Sequence, residues 1–185
     1  MSEVRTLHRS GLSVINAWVN QQSLGYDSGI EFGCGVGAYT RAMLCHRRVG
    51  IDAFEPYIIE AVATPENHGI DFVCGDMRHF ESLVSGPYDF ALFIDSLEHI
   101  PKDDALELIV RCQRAFKKIA LFIPIGFHDN DPCDGNDMQR HLSTWDEVDL
   151  LDMGFYVNTS PYFHPEKPGK PGEQQAAAFA QWFTR

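Results

Sequence analysis

Residues 28–40 read Ser-Gly-Ile-Glu-Phe-Gly-Cys-Gly-Val-Gly-Ala-Tyr-Thr, and the interpretation of the whole chain starts from this segment. Its first part, Gly29 to Phe32, is short and apolar enough to be a buried strand, and an apolar run typical of a helix begins at Ala38. Three glycines alternate between them, at positions 33, 35 and 37. The pattern predicts a strand that passes into a helix through a turn whose main chain is open to a bound molecule.

This junction suits a polar or charged ligand. The first turn of a helix leaves unpaired N–H groups at the positive end of the helix dipole. Glu31 precedes the first glycine by two residues, so we expect its carboxylate to point into a crevice at the carboxyl edge of the sheet and to bind a positive group. Gly33, Gly35 and Ala38 also satisfy the looser spacing of dinucleotide-binding folds, so the glycines alone leave two interpretations open.

The whole string from Glu31 to Gly37 resembles the first motif of the class I S-adenosylmethionine-dependent methyltransferases, E/D-x-G-x-G-x-G. Asp95-Ser-Leu-Glu-His-Ile-Pro101 resembles the segment after the fourth strand in many small-molecule members of that family, and residues 143–155 resemble the pattern before the sixth strand. The resemblance implies an α/β, Rossmann-like, doubly wound sheet of seven strands. The sheet would be mostly parallel, with an antiparallel last strand between the fifth and sixth and with helices on both faces.

The resemblance also implies S-adenosylmethionine as the cofactor, held at successive strand ends. Asp52 lies about 19 residues beyond Gly33, where nucleotide-binding α/β folds place a carboxylate for ribose hydroxyls. Asp76 and Met77 match the family positions that bind the adenine amino group and cover the ring, and Asp95 and Ser96 match those beside the methionine portion. The expected cofactor-binding residues are Glu31, Gly33, Gly35, Gly37, Asp52, Phe54, Asp76, Met77, Asp95 and Ser96.

Three histidines are candidates for a general base, which the reaction needs only if the acceptor is protonated. His99 follows the fourth predicted strand and is the leading candidate, although it could equally pack the start of the next helix. His128 and His141 lie in a polar loop, residues 124–142, and their alternative role is that of solvated surface histidines. We expect this loop and the first helix to close the pocket.

Two shorter predictions concern helices. The apolar run after the glycine turn predicts a helix from about Ala38 to Arg47. The segment Thr144-Trp-Asp-Glu147 has the spacing of a capping box, which predicts that Thr144 begins a helix ending near Gly154.

Composition excludes several classes of function. With 26 acidic and 15 basic side chains the formal net charge is −11, which would repel a phosphate backbone, so we expect no nucleic-acid partner. The five cysteines include no C-x-x-C pair, and residues 129–140 lack glycine at the sixth and glutamate at the twelfth position of a calcium loop, so neither a disulfide framework nor a metal is expected. The longest apolar stretch, Ile119 to Phe127, is too short for a membrane span, and Met1 to Thr6 has no signal core. These features predict a soluble, cytoplasmic protein with no membrane partner.

The chain length predicts a single domain over residues 1–185, with a helical extension at 1–27 and the core at 28–185. We expect transfer of a methyl group from S-adenosylmethionine to an oxygen or nitrogen of a small-molecule or saccharide acceptor by in-line displacement, leaving S-adenosylhomocysteine (SAH). Two alternatives stay open: an NAD(P)-dependent oxidoreductase and a non-catalytic S-adenosylmethionine-binding partner protein. The oligomeric state is not predicted.

Overall fold

One sheet of seven strands organises the protein in the computed structural model, which describes residues 9–126, 134–164 and 175–184. The strands, in chain order, are β1 (Ser28–Phe32), β2 (Arg47–Asp52), β3 (Asp71–Cys74), β4 (Phe90–Ile94), β5 (Lys118–Ile125), β6 (Tyr156–His164) and β7 (Gln175–Phe183). Their order across the sheet is β3-β2-β1-β4-β5-β7-β6. The first strand is therefore internal to the sheet, with β2 and β3 on one side of it and the other four strands on the opposite side.

The sheet has the predicted directions. The first five strands of the chain, which are neighbours in the order β3-β2-β1-β4-β5, pair in parallel. Strand β7 pairs antiparallel with both β5 and β6. The predicted fold, including the antiparallel last strand between the fifth and sixth, is confirmed. Strand order reverses between β1 and β4, and in open α/β sheets ligands bind at such a switch point, beyond the carboxyl ends of the strands.

Helices cover both faces of the sheet. They are α1 (Arg9–Ser23), α2 (Ala38–Ala42), α3 (Glu55–Ala63), α4 (Phe80–Leu83), α5 (Lys102–Ala115) and α6 (Glu147–Asp152). One apolar core joins the sheet to α5 and α6 through residues such as Leu108 and Leu150, and a second joins it to α1 through Ile15 and Val19. None of the described helices combines the length and apolar character that crossing a bilayer requires.

Two predicted helix boundaries were wrong. Helix α2 ends at Ala42, and Arg47, which was predicted to end that helix, instead begins β2. The N-cap of α6 is Asp146 rather than Thr144, because the Asp146 carboxylate accepts from the Asp149 N–H while Asp149 accepts from the Asp146 N–H, both at 2.9 Å. Aspartate is a strongly preferred N-cap residue, and these two reciprocal hydrogen bonds place the capping box two residues later than predicted.

Candidate functional site

A cavity of about 730 Å³ lies at the carboxyl edge of the sheet, beside the switch point. This volume is typical of small-molecule and cofactor sites. Its walls come from the turns after β1, β2, β3 and β4 and from residues 136–142. Of the expected cofactor-binding residues, those that line it are Gly33, Gly35, Asp52, Asp76, Met77, Asp95 and Ser96. The ends of four strands therefore bring most of the predicted residues together.

The glycine turn forms one wall of this cavity. All three glycines have positive φ angles, of 74° at Gly33, 53° at Gly35 and 81° at Gly37. A Cβ at Gly33 would lie 2.5 Å from the Ser96 Cβ, and one at Gly37 would lie 2.5 Å from the Phe72 ring. A Cβ at Gly35 would meet no atom within 4 Å. Gly33 and Gly37 therefore have to be glycine because neighbouring side chains pack closely against them. Gly35 leaves the main chain open to the cavity.

Asp52 connects the ends of β1 and β2. Its Oδ2 accepts from the Gly35 N–H and its Oδ1 from the Phe54 N–H, each at 2.8 Å. Each carboxylate oxygen has two acceptor sites, so both retain capacity for a ligand hydroxyl. Phe54 is not among the described residues that line the cavity, but its ring packs edge-on against Tyr57, which does line it. Phe54 therefore contacts the cavity wall through the ring of Tyr57.

Glu31 does not occupy the place that the sequence suggested. It is 1% exposed, and its carboxylate accepts a hydrogen bond from the Thr40 hydroxyl of α2 instead of reaching the described lining of the cavity. It shares a sheet face with its register partner Leu92, opposite Ile30 and Phe32. Burial raises the pKa of Glu31 to about 8, although the Thr40 hydrogen bonds oppose this shift. The Glu31 carboxylate is therefore buried away from the described lining of the cavity, and its expected contact with a positive ligand group stays a prediction.

Asp76 already has a cationic partner. Arg78 donates to both of its carboxylate oxygens, with Nη2 at 2.6 Å from Oδ2, and also reaches Asp104 at 2.6 Å. The Arg78 hydrogen bond holds the pKa of Asp76 below its usual value, despite partial burial. Met77 lines the same wall, and its Cε would lie 3.6 Å from a Cβ at Gly33. Arg78 lines the cavity as well and was not predicted from the sequence.

The end of β4 contains buried polar atoms without partners. Asp95 has a φ angle of 44°, and its N–H donates to the Phe122 carbonyl at 3.0 Å. Within the described ranges, neither Asp95 Oδ1 nor Ser96 Oγ has a hydrogen-bond partner. Burial raises the pKa of Asp95 to about 7. Positive φ at a non-glycine residue is uncommon and often marks a functional site.

A short 3₁₀ turn follows Asp95 at Leu97–His99, and its Glu98 and His99 lie close to His141. Glu98 is 2% exposed, and its Oε1 lies 4.0 Å from His99 Nε2. The rings of His99 and His141 meet edge-to-face with centroids 5.1 Å apart. His99 lines the cavity, and burial lowers its pKa against opposing contributions from nearby main-chain carbonyls. His141 is not among the described residues that line the cavity, and the predicted His128 lies outside the described residues.

The segment over the cavity was predicted only in outline. Asn136 caps a 3₁₀ turn at Asp137–Gln139, and residues of this turn line the cavity. The Gln139 side chain donates to the Tyr57 hydroxyl at 3.2 Å, and that hydroxyl donates to Asp134 at 3.1 Å. Tyr57 therefore ties α3 to this segment. The sequence offered one signal for this role, the position of Tyr57 five residues after Asp52, but no pattern identified it.

Comparison with known proteins agrees with this geometry. A family model described as a methyltransferase domain matches residues 30–118, which run from β1 to the start of β5. No curated protein matches the sequence significantly.

Many solved structures share the fold. The N-terminal domain of EvdMO1, crystallised in the presence of SAH and D-fucose, is 17% identical over 97% of this chain and 85% of that one, with a TM-score of 0.67. An S-adenosylmethionine-dependent methyltransferase from Clostridium acetobutylicum ATCC 824 is 13% identical over 98% of this chain and 94% of its own, with a TM-score of 0.66. The small RNA methyltransferase HEN1 is 14% identical over 95% of this chain and 27% of its own, with a TM-score of 0.61. At such identities the likeness is one of fold, and it spans proteins with different acceptors.

Proposed function

Because this chain belongs to the class I S-adenosylmethionine-dependent methyltransferases, we propose that it methylates an oxygen or nitrogen of a small molecule or sugar. The family, the enzyme class and the cofactor predicted from the first motif are confirmed. The observation that carries the proposal is the cavity at the switch point, which is lined together by the glycine turn, Asp52, Asp95 and Ser96. We also propose that residues 1–185 form one domain, because α1 buries Ile15 and Val19 against the sheet.

The described residues fit S-adenosylmethionine in three parts. Ile51, Met77 and Ile100 supply apolar wall for the adenine ring. Asp52 has acceptor capacity left for ribose hydroxyls after its two main-chain hydrogen bonds. The buried oxygens of Asp95 and Ser96, which have no partner among the described residues, suit the amino-acid end, because unpaired buried oxygens are costly until a ligand donates to them. Ser96 packs closely on the glycine turn at Gly33.

Three of the expected cofactor residues act indirectly in this proposal. Glu31 anchors α2 through Thr40, which holds the glycine turn, while Gly37 begins α2 and Phe54 backs Tyr57. Asp76 keeps Arg78 in place, and because both of its carboxylate oxygens accept from Arg78, the adenine amino group would share them with that side chain. This division assigns ligand contact to the cavity-lining residues and support to the others.

The cofactor, when bound, supplies a methyl group on a sulfonium, which is a good leaving group. The chain's own residues then have to align the acceptor at roughly 3 to 3.5 Å from that carbon and exclude water. Tyr57, residues 136–139 and Leu142 form the wall that would do so. A protonated acceptor would lose its proton toward the cluster of Glu98, His99 and His141, of which His99 faces the cavity.

A small or saccharide acceptor is supported by the size of the cavity and by charge. At −11 the chain would repel a nucleic-acid backbone. The relative crystallised in the presence of D-fucose is consistent with a sugar-like acceptor, whereas HEN1 shows that the same fold serves RNA in another protein. The antiparallel β7 between β5 and β6 counts against the oxidoreductase alternative, since ordinary dinucleotide folds have parallel order there.

Two measurements test this function. SAH should raise the melting temperature while NAD should not, and ligand at 100 times its Kd stabilises by about 2.7 kcal/mol. Radiolabelled S-adenosylmethionine incubated with a metabolite extract should then label a small molecule only when active protein is present. Stabilisation by NAD alone would contradict the proposal, and SAH binding without any labelled product would favour a non-catalytic binding protein.

A further inference from the structure

Glu98, His99 and His141 form a compact set of metal-ligand atoms beside the cavity. One carboxylate oxygen and one ring nitrogen from each histidine all lie within 4.8 Å of one another. Within this set, Glu98 Oε1 lies 4.0 Å from His99 Nε2. Ligands of a tetrahedral zinc ion at bond lengths near 2.0–2.1 Å are about 3.4 Å apart. These atoms would therefore have to approach one another by up to about 1.4 Å to complete such a site.

Glu98 is the least expected member of this set. It is 2% exposed, and its Oε2 has no hydrogen-bond partner in the described part of the chain. A buried carboxyl oxygen without a partner costs roughly 1–3 kcal/mol or more, so such groups are usually paired or bind a metal. The main-chain carbonyl of Glu98 accepts from the N–H groups of Leu142 and Ser143, at 2.7 and 3.0 Å. The backbone therefore fixes Glu98 against the segment that carries His141.

The orientation of His99 suits a ligand. Its Nδ1 lies 3.2 Å from the main-chain carbonyl of Arg140, and a carbonyl can only accept, so Nδ1 carries the proton. The lone pair is then on Nε2, the nitrogen that faces Glu98. Histidines that bind metals almost always donate their other N–H to a carbonyl or carboxylate in this way.

From these contacts we propose that Glu98, His99 and His141 bind a divalent transition-metal ion such as Zn²⁺, Mn²⁺ or Co²⁺ at the wall of the cavity. Two imidazoles with one carboxylate favour these ions over Mg²⁺ or Ca²⁺, which prefer all-oxygen sites. Three protein ligands leave coordination positions open, as in catalytic rather than structural sites. Because His99 lines the cavity, an ion bound by these three residues would lie next to the space left for the acceptor.

This inference rests on the proposed function and narrows the class of acceptor molecules that the enzyme would methylate. A cation here would hold an acceptor through oxygen, best through two neighbouring hydroxyls, and would lower the pKa of a coordinated hydroxyl. That hydroxyl would release its proton to water, and its oxygen would form the new O–CH₃ bond as the S–CH₃ bond breaks. His99 would then serve as a metal ligand and not as the base.

Metal binding can be tested without any methylation assay. The protein is stripped with a chelator and titrated with Co²⁺, whose visible absorption reports nitrogen and oxygen ligation. We expect about one ion per chain, and we expect Glu98→Gln and His141→Ala each to weaken binding at least about 10-fold. His68→Ala, at an exposed position outside the cluster, should bind as the original protein does. Two separate ligand variants are used so that a folding defect in one leaves the other informative.

The outcomes separate the two proposals. Absence of Co²⁺ binding, or unchanged binding in both ligand variants, would overturn the metal site. SAH affinity measured on the same samples should change less than twofold in Glu98→Gln, because Glu98 does not line the cofactor part of the cavity. A protein that binds Co²⁺ through these residues but does not bind SAH would retain the metal site and refute the methyltransferase function.

Discussion

The main-chain N–H of Gly35 donates a 2.8 Å hydrogen bond to Oδ2 of Asp52, so the end of β2 holds the turn that follows β1. The same carboxylate fixes Phe54 through Oδ1, also at 2.8 Å. One side chain thereby positions two walls of the cavity and still faces it. The cofactor site depends on this contact between neighbouring strand ends more than on any single residue of the glycine turn.

Replacement of Asp52 with alanine should lower SAH affinity at least about 10-fold, since hydrogen bonds to a charged group contribute about 1.5–3 kcal/mol. Both the ribose contact and the turn geometry would be lost. Calorimetric titration with SAH measures the effect. Asp71→Asn, at an exposed position at the start of β3, is the matched control and should bind normally. Unchanged affinity in Asp52→Ala would show that the ribose lies elsewhere.

Two glycines of the turn should respond differently to alanine. Gly33→Ala adds a Cβ that would lie 2.5 Å from the Ser96 Cβ at a positive φ, so it should destabilise the fold by at least about 2 kcal/mol. Gly35→Ala meets no atom within 4 Å and should cost only about 1–2 kcal/mol, from its φ angle. Because Gly35 lines the cavity, that variant should still lose SAH affinity. Denaturant unfolding and calorimetry distinguish the two effects, and equal stabilities would contradict this account.

Much of this arrangement was predictable from local sequence. The apolar runs and the acids that follow them placed Asp52, Asp76 and Asp95 at strand ends, and parallel strands necessarily bring such ends to one edge. The direction of Glu31 was not predictable. Successive residues of a strand face opposite sides, and which side holds the ligand depends on how the strands and helices pack.

Long-range contacts account for the other omissions. His141 meets His99 because Leu142 and Ser143 hydrogen-bond to the carbonyl of Glu98, a pairing that no local pattern encodes. The role of Tyr57 likewise depends on Gln139, far away in sequence. Resemblance to a family motif identified residues 95–101 as part of the site. Only the structure shows which residues contact that segment.

Glu31 should make the stability of the ligand-free protein depend on pH. Its pKa rises from an ordinary value of 4.5 to about 8, chiefly through burial, so the folded state keeps this proton to higher pH than the unfolded chain does. The contribution of this proton to the free energy of unfolding is fully present below about pH 4.5 and is lost as the pH rises to about 8. Glu31→Gln removes this dependence.

We therefore expect the melting temperature of Glu31→Gln, relative to the original protein, to be higher at pH 8.5 than at pH 5. Thermal unfolding at several pH values measures the difference. Glu60→Gln, on the exposed side of α3, should show no such trend. A constant difference across the range would mean that Glu31 is ionised in the folded protein, in which case it could bind a cationic ligand group after all.

The start of α6 provides a test that is independent of the cofactor. Asp146 and Asp149 exchange hydrogen bonds at 2.9 Å, and Lys102 of α5 donates to Asp149 at 2.6 Å. The Lys102 ammonium also lies 3.6 Å from the centroid of the buried Trp145 ring, so this cap joins two helices next to the segment that carries His141. Asp146→Ala should cost about 1 kcal/mol, as loss of an N-cap usually does.

Thr144→Val is the matched control for that variant. Thr144 is exposed, and it contributes its main-chain carbonyl, not its hydroxyl, to Lys102 at 2.8 Å, so its replacement should change the free energy of unfolding by less than about 0.5 kcal/mol. Urea unfolding of the two variants decides which residue caps the helix. If Thr144→Val were the more damaging change, the helix would begin at Thr144 as the sequence pattern indicated, and the contact between Lys102 and Asp149 would be secondary.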